Sequence, residues 1–294
     1  MLIKEAAKSS GLTKKAIEYY IEQELIAPKI LCNGYREFED KDIEALKKIS
    51  VYRRLGLSIE EIKEVQRDLS GSALKKFTLK KELKVQREEL KRSMLEELSR
   101  GKSYREMEDR LRSLEEGNAV IDRLLDLFPG YYGHFLSLHF ARFLQEPIST
   151  EEQKAAYKEI IEFLDGIPAL EFPPDLQEYF TESTKDFTSE NIHDIMKETK
   201  KSIENTEDFL KENKEIIEAY HKYKQSQEYK DSPAYKIEKL LKDFNSTNGY
   251  NDIFIPAMKR LSPAYNDYYR QLEIANEKFL KSYPELEKLY NERD

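Results

Sequence analysis

Hydrophobic residues recur at helical spacing over most of the chain, beginning with two short amphipathic stretches near its start. The first covers residues 1–8. The second begins after Thr13, whose hydroxyl can accept a hydrogen bond from a free backbone N–H of the first helical turn. A Ser9-Ser10-Gly11 turn separates them, which gives the outline of a helix-turn-helix. The apolar positions of the second stretch are Ala16, Ile17, Tyr20 and Ile21.

A short β-hairpin is predicted after these helices. Pro28 ends helical structure, and residues 29–32 and 35–38 read as two extended segments. Asn33-Gly34 between them is expected to supply the positive-φ residues of a tight turn. An isolated hairpin is marginally stable in water, so it should lean on the neighbouring helices as a wing.

Two more helices complete this amino-terminal segment. Residues 40–55 form one, which Gly56 should end. Residues 58–61 form a capping box that opens the other. The inward-facing positions of this last helix are predicted to be Ile62, Val65 and Leu69.

Residues 74–100 predict one long helix with a narrow apolar stripe. The stripe is Leu79, Leu83, Leu90, Met94 and Leu98, and Gln86 interrupts it. A helix with so narrow a stripe needs a partner helix, and the interruption favours a short antiparallel coiled coil over a long parallel zipper. Packing against the carboxy-terminal part of the same chain is the less favoured alternative.

The rest of the chain, 117–294, is helical in pattern throughout, and no stretch alternates as a strand does. Residues 128–294 hold 26 of the 33 aromatic residues. These rings either fill a core that lacks Trp or line a pocket for a lipophilic or cationic ligand. The predicted ligand-binding residues are Tyr131, Tyr132, His134, Phe135, Tyr265, Tyr268 and Tyr269.

Charge and cysteine content limit the possible functions of the protein. The formal net charge is −8, yet residues 1–70 are balanced at 13 basic and 13 acidic side chains. The acidic excess therefore lies outside the helix-turn-helix candidate, and net charge does not argue against DNA binding.

A single Cys, Cys32, allows no disulfide within the chain, and it is interpreted as a small apolar residue. No leader and no apolar run of membrane-spanning length is present, so a cytoplasmic protein without a membrane partner is expected.

Residues 1–70 resemble the DNA-binding domain of MerR-type transcription regulators. The matching residues are Ile3-Lys4-Glu5-Ala6-Ala7, Tyr19-Tyr20, Leu25-Ile26-Ala27-Pro28, Asn33-Gly34-Tyr35-Arg36 and Arg53-Arg54-Leu55-Gly56-Leu57-Ser58-Ile59-Glu60-Glu61-Ile62. One position departs from the family, because Glu18 stands where an Arg usually precedes the paired tyrosines. A carboxylate there repels phosphate unless it pairs with Lys14, four residues before it.

The resemblance implies a homodimer on a pseudo-palindromic promoter operator, acting indirectly on RNA polymerase, with the long helix as the dimerisation element. The residues expected to contact double-stranded DNA are Lys14, Lys15, Tyr19, Tyr20, Tyr35, Arg36 and Arg53. The overall prediction is a mainly α fold: a winged helix-turn-helix over 1–70, an antiparallel coiled-coil helix and linker over 71–116, and an all-α domain over 117–294. That last domain binds a drug-like or hydrophobic effector or, alternatively, docks another protein.

Metal sensing and catalysis are weighed against this prediction. The family's metal sensors use cysteines near the end of the dimerisation helix, and none is present there. His134 and His139 are five residues apart, which does not place them on one helix face. No phosphate-binding glycine loop, nucleophile elbow or His-Glu metal motif occurs. We therefore expect no cofactor, no metal and no enzymatic activity.

Overall fold

The computed structural model describes residues 1–68 and 71–284, so Leu69 and Ser70 lie outside the described residues. It confirms a mainly α protein. The chain divides into two compact units, Met1–Thr78 and Leu79–Asp294, and the boundary falls inside a long helix rather than in a loop. Among the described residues, no helix is long and apolar enough to cross a membrane.

The first unit contains four helices, a two-stranded hairpin and the start of a fifth helix. The helices are α1 (Ile3–Ser10), α2 (Lys14–Glu22), α3 (Asp40–Arg54) and α4 (Ile59–Arg67), and the strands are β1 (Lys29–Ile30) and β2 (Arg36–Glu37). The strands pair antiparallel, with Ile30 opposite Arg36. The amino terminus is fixed beside the hairpin, because the Met1 ammonium donates to the Phe38 carbonyl at 2.8 Å.

The predicted helix ends are confirmed by their caps. The Thr13 hydroxyl accepts from the Ala16 N–H at 3.1 Å, and Ser58 with Glu61 forms a reciprocal capping box. Gly56 follows α3 at φ +84°, a conformation that costs glycine little. Local sequence thus fixes where α2, α3 and α4 begin or end.

The hairpin turn differs from the one predicted. Within the described residues, Gly34 (φ +80°) takes the left-handed conformation and Asn33 does not. The Gly34 N–H donates to the Leu31 carbonyl at 2.9 Å, and the Asn33 carboxamide accepts from the Tyr35 N–H at 3.1 Å. The Asn side chain therefore stabilises a five-residue loop, 31–35, in place of a two-residue turn.

The long helix α5 (Ser72–Ser99) contributes to both units. Ala73 and Phe77 are buried in the core of the first unit. Leu79 and Leu83 are buried in the core of the second. Leu79 and Leu83 of the apolar stripe therefore pack on their own chain, which is the alternative that the sequence favoured less.

The second unit contains the rest of α5, eleven further α-helices and one π-helix among the described residues. The α-helices are α6 (Tyr104–Leu127), α7 (Gly130–Ala141), α8 (Glu151–Gly166), α9 (Pro174–Ser183), α10 (Ser189–Glu204), α11 (Thr206–Glu212), α12 (Lys214–Gln225), α13 (Gln227–Lys230), α14 (Pro233–Thr247), α15 (Ile255–Leu261) and α16 (Pro263–Ser282). The π-helix covers Tyr250–Phe254.

One large core holds the second unit together, built mainly from α6, α7, α8 and α15. Its largest fully buried side chains include Phe128, Phe140 and Phe254. Two glycines permit close packing: a Cβ on Gly133 would lie 1.9 Å from the Phe128 carbonyl oxygen, and one on Gly117 would lie 2.4 Å from that of Leu144. The aromatic residues of this unit therefore pack mainly in its core.

Candidate nucleic-acid interface and ligand cavity

Helix α2 presents a polar face with two lysines in its first turn. Lys14 and Lys15 are exposed, and the Tyr19 ring, one turn later, is 44% exposed. Ile17 on the opposite face is fully buried, which fixes the rotation of the helix. The Thr13 cap and this buried face together hold the three exposed side chains outward.

Glu18 and Tyr20 differ from the other predicted contacts on α2. Glu18 is exposed and, among the described contacts, forms no ion pair with Lys14, so the acidic group stands on the surface among the lysines. Tyr20 is only 8% exposed and belongs to the core of the first unit, with its ring centroid 5.9 Å from that of Tyr19. Helical spacing turns Tyr20 inward with Ile17, and its contact with DNA stays a prediction.

The hairpin presents the second exposed group. Tyr35 is 63% exposed in the loop, and Arg36 is exposed at the start of β2. The N–H of Leu31 donates to the Tyr35 carbonyl at 2.8 Å, so the loop backbone is fixed beneath both side chains. None of the described contacts joins this pair to the exposed residues of α2.

Arg53 has a structural partner. Its Nη1 donates to the Leu57 carbonyl at 2.6 Å, which ties the end of α3 to the start of α4. The Arg53 side chain remains exposed, and its contact with Leu57 explains its geometry.

Cys32 was interpreted as a small apolar residue. It is exposed in the hairpin loop, because the strand before it ends at Ile30.

The second unit contains a partly enclosed cavity of about 220 Å³, called here the aromatic cavity. Helices α7, α10 and α16 and the π-helix form its walls. Its lining residues are Phe135, Leu136, His139, Phe140, Arg142, Met196, Thr199, Tyr250, Tyr265 and Tyr268. The structure therefore brings together Phe135, Tyr265 and Tyr268 of the predicted ligand-binding set.

The other four residues of that set do not line the aromatic cavity, and their role in ligand binding stays a prediction. Tyr131 packs against Phe187, with ring centroids 5.2 Å apart. Tyr132 packs edge-on against Phe128 in the core. Tyr269 lies under the Lys259 ammonium, 3.5 Å from its ring centroid, and His134 does not line the aromatic cavity. Neighbouring residues on one helix face different directions, so a dense run of aromatics cannot line one pocket.

His139 and Arg142 form the polar part of the cavity wall. The Arg142 Nη2 lies 3.2 Å from the His139 Nδ1, and its Nε donates to the His139 carbonyl at 3.3 Å. Burial, and secondarily the nearby Arg142 charge, lowers the pKa of His139 to about 4, so the imidazole is neutral at pH 7. The guanidinium carbon lies over the rings of Phe143 and Tyr268, 4.9 and 5.8 Å from their centroids.

The π-helix contributes Tyr250 to the cavity lining. Tyr250 is its first residue, directly after Gly249 at φ +80°. Its phenol is buried, which raises its pKa well above the usual value and keeps it neutral. π-Helical turns are rare and occur frequently at functional sites.

Comparison with known proteins identifies the first unit. Residues 1–69 match the family described as MerR HTH family regulatory protein. The chain is 33% identical over 93 residues to the HTH-type transcriptional regulator CueR of Salmonella typhi, a match that covers 30% of this chain and 67% of that protein. The chain belongs to the MerR family.

Two further MerR-family relatives match over less of their own length. CueR of Yersinia pestis is 39% identical over 66 residues, 22% of this chain and 48% of that protein. The HTH-type transcriptional activator mta of Bacillus subtilis is 27% identical over 161 residues, 54% of this chain and 56% of that protein. The chain thus spans about half the length of these relatives, and no solved structure matches it.

The matched segment of this MerR-family chain contains the exposed residues of α2 and the hairpin, whereas the aromatic cavity lies beyond residue 69. Sequence reasoning missed His139, Arg142, Met196 and Tyr250 as lining residues. Phe135, His139 and Arg142 follow each other by four and three residues, so the helical period from Phe135 would have found two of them. No local signal brings Met196 or Tyr250 to the same wall.

None of the described residues forms a group of three or more His, Cys, Asp or Glu side chains that could hold a metal ion. The two site candidates of this MerR-family protein are therefore an exposed basic and aromatic surface and an aromatic cavity.

Proposed function

We propose that the protein is a MerR-type transcription regulator that binds double-stranded DNA through its first unit. The observation that carries this proposal is the exposure of Lys14, Lys15 and Tyr19 on the capped second helix of a matched helix-turn-helix. In this proposal, two ammonium groups and a phenol contact phosphate and base edges in the major groove. Tyr35 and Arg36 on the hairpin add backbone contacts.

The protein acts as a homodimer on a pseudo-palindromic promoter operator and affects RNA polymerase indirectly. Two copies of α2 bound to successive half-sites give the contacts needed to bend and untwist the DNA between them. The work of deforming the duplex comes from contacts such as Arg36 with the phosphate backbone. Dimerisation through α5 is part of the proposal.

Selection of DNA from a random duplex pool by the full-length protein tests the DNA-binding proposal. We expect one enriched pseudo-palindromic sequence. Arg36→Ala should weaken binding to it and lower the slope of log K against log salt by about one, since one phosphate contact is lost. Arg67→Ala is the control with the same charge change, because Arg67 is exposed on α4. A selected pool without an enriched sequence, or an unchanged salt slope for Arg36→Ala, would contradict the proposal.

We further propose that the second unit binds a small-molecule effector in the aromatic cavity. Support comes from the partly enclosed, mostly apolar lining, the neutral His139 and the exposed Arg142 in its wall. The effectors of the relatives do not transfer, because the 66-residue match to CueR of Yersinia pestis covers only 22% of this chain.

A second candidate role for this unit is docking of another protein. Helix α12 favours it, because Ile216, Tyr220 and Tyr223 lie on one face and are 68, 59 and 42% exposed. Shifts in the thermal unfolding midpoint separate the two roles. Small aromatic compounds should raise the midpoint by several degrees if the cavity is an effector site. A docking module should respond to none of them.

A further inference from the structure

We propose that the aromatic cavity binds an aromatic acid, with its flat body against Phe135 and Tyr265 and its carboxylate against Arg142. This inference rests on the proposed effector role of the second unit and specifies the chemical class of ligand. It differs from the lipophilic or cationic ligand that the aromatic composition suggested.

Charge in the cavity wall is the first argument. Arg142 is the sole charged side chain among the ten described residues that line the aromatic cavity. Within the part of the chain that the structure describes, no carboxylate pairs with it. Arg142 is an exposed residue, and desolvation of part of its guanidinium lowers the pKa of that group. A ligand carboxylate would supply the missing countercharge.

The positioning of Arg142 is the second argument. His139 accepts from the guanidinium through Nδ1 and through its backbone carbonyl, at 3.2 and 3.3 Å. The Tyr268 side chain is a further hydrogen-bond partner. Because these contacts hold one planar guanidinium in place, a carboxylate can bind it with little loss of side-chain freedom.

The same contacts disfavour a cationic ligand. The Phe143 and Tyr268 rings already face the Arg142 guanidinium, at 4.9 and 5.8 Å. A ligand cation would have to displace that group or lie close to a like charge. His139 offers no compensation, because a neutral imidazole carries no negative charge.

The size and lining of the cavity define the ligand body. Its volume of about 220 Å³ lies below the ~300–1,000 Å³ typical of sites for drug-sized ligands, so one or two fused rings suit it. Phe135, Tyr250 and Tyr265 line it with aromatic rings, and the Met196 thioether adapts to an aromatic partner.

Three probes that share one ring system and differ in charge test the proposal. They are 2-naphthoate, 2-naphthamide and 2-naphthylmethylammonium, titrated calorimetrically into the full-length protein at pH 7.5. We expect 2-naphthoate to bind about tenfold more tightly than the amide, since it gains a charge-assisted hydrogen bond. The ammonium probe should bind more weakly than the amide.

Variants assign the charge preference to one residue. Arg142→Met should remove the advantage of 2-naphthoate over the amide and leave amide binding within about twofold. Arg270→Met is the matched control, because Arg270 is 70% exposed on α16, the helix that carries Tyr268. It should keep the full preference. If Arg142→Met does not fold, the order of affinities of the three probes for the wild-type protein still tests the aromatic-acid proposal.

The outcomes separate the ligand class from the effector role. Binding of the amide that weakens in Phe135→Leu, without a preference for 2-naphthoate, would keep the effector site and overturn the aromatic-acid proposal. Equal loss in Arg142→Met and Arg270→Met would also overturn it. Absence of binding by all three probes at millimolar concentration would overturn both the aromatic-acid proposal and the effector role of the second unit. The DNA selection experiment tests the first unit independently.

Discussion

The Nη2 of Arg142 lies 3.2 Å from the Nδ1 of His139. A guanidinium has only donors, so this Nδ1 must accept and cannot carry a proton. The proton of the neutral imidazole is therefore on Nε2. Protonating the ring would break the contact with Arg142 and place two positive charges in the wall of the aromatic cavity.

This arrangement predicts a loss of stability in acid. The pKa of His139 is lowered to about 4 from 6.5, so the unfolded chain takes up a proton at a higher pH than the folded one. The free energy of unfolding should fall as pH drops from about 6.5 to 4, by about 2–3 kcal/mol from this residue. Urea unfolding of the second unit across that range measures it.

Replacing His139 isolates its contribution to the pH dependence of stability. His139→Gln should flatten the pH dependence between 6.5 and 4. His193→Gln is the control, because the His193 side chain is 48% exposed. A wild-type pH slope in His139→Gln would show that other groups cause the acid sensitivity.

The paired tyrosines of α2 should respond in opposite ways to substitution. Tyr20→Ala empties a core position and should cost about 3 kcal/mol in stability of the first unit. Tyr19→Ala removes an exposed ring, so stability should stay within about 0.5 kcal/mol while affinity for the selected operator falls about tenfold. Denaturation and gel-shift titration measure the two effects. Similar losses of stability in both variants would contradict the assignment.

The sequence predicted the first unit well because its signals are local. A hydroxyl cap at Thr13, a capping box at Ser58 and a glycine at 56 each act within four residues of where they stand. The hairpin loop was predicted less accurately, since an Asn side chain can either take a positive φ or hydrogen-bond to Tyr35, and sequence does not decide between them.

The aromatic cavity depended on contacts between distant segments. Phe135, Met196, Tyr250 and Tyr265 come from four elements, and their meeting is decided by packing of the whole helical unit. Aromatic density alone also selected Tyr132, which the core uses. The stripe of α5 shows the same limit, because periodicity demands a partner but does not say whether α6 or another molecule supplies it.

Close packing of α7 predicts a severe effect at one glycine. In Gly133→Ala, the new Cβ would lie 1.9 Å from the Phe128 carbonyl oxygen, a backbone atom with little room to move. We expect a destabilisation of about 1–3 kcal/mol, measured by thermal unfolding. Gly166→Ala is the control, because nothing lies within 4 Å of its Cβ position in α8. The control should be neutral or stabilising by up to ~1 kcal/mol. Equal behaviour of the two variants would contradict the packing argument.

The face of α5 turned away from its own core predicts how two copies pair. Positions spaced by four and three along the second-unit part of this helix are all exposed: Lys81, Val85, Glu88, Arg92, Leu95 and Ser99. Val85 and Leu95 are 63 and 66% exposed. An antiparallel pairing that sets Val85 against Leu95 of a second copy also sets Glu88 against Arg92, so one register satisfies both apolar and charged positions.

Charge substitution at that pair tests the register. Val85→Lys and Leu95→Glu should each weaken the dimer about tenfold, because each sets a charge against an apolar side chain of the second copy. The double variant should recover much of the loss, since the introduced lysine of one copy then opposes the introduced glutamate of the other. Ile216→Lys, on α12, is the control for adding a charge at an equally exposed apolar position. Sedimentation equilibrium measures the dimer constant. Additive losses in the double variant would reject this register, because a mutual contact is what makes the two substitutions compensate.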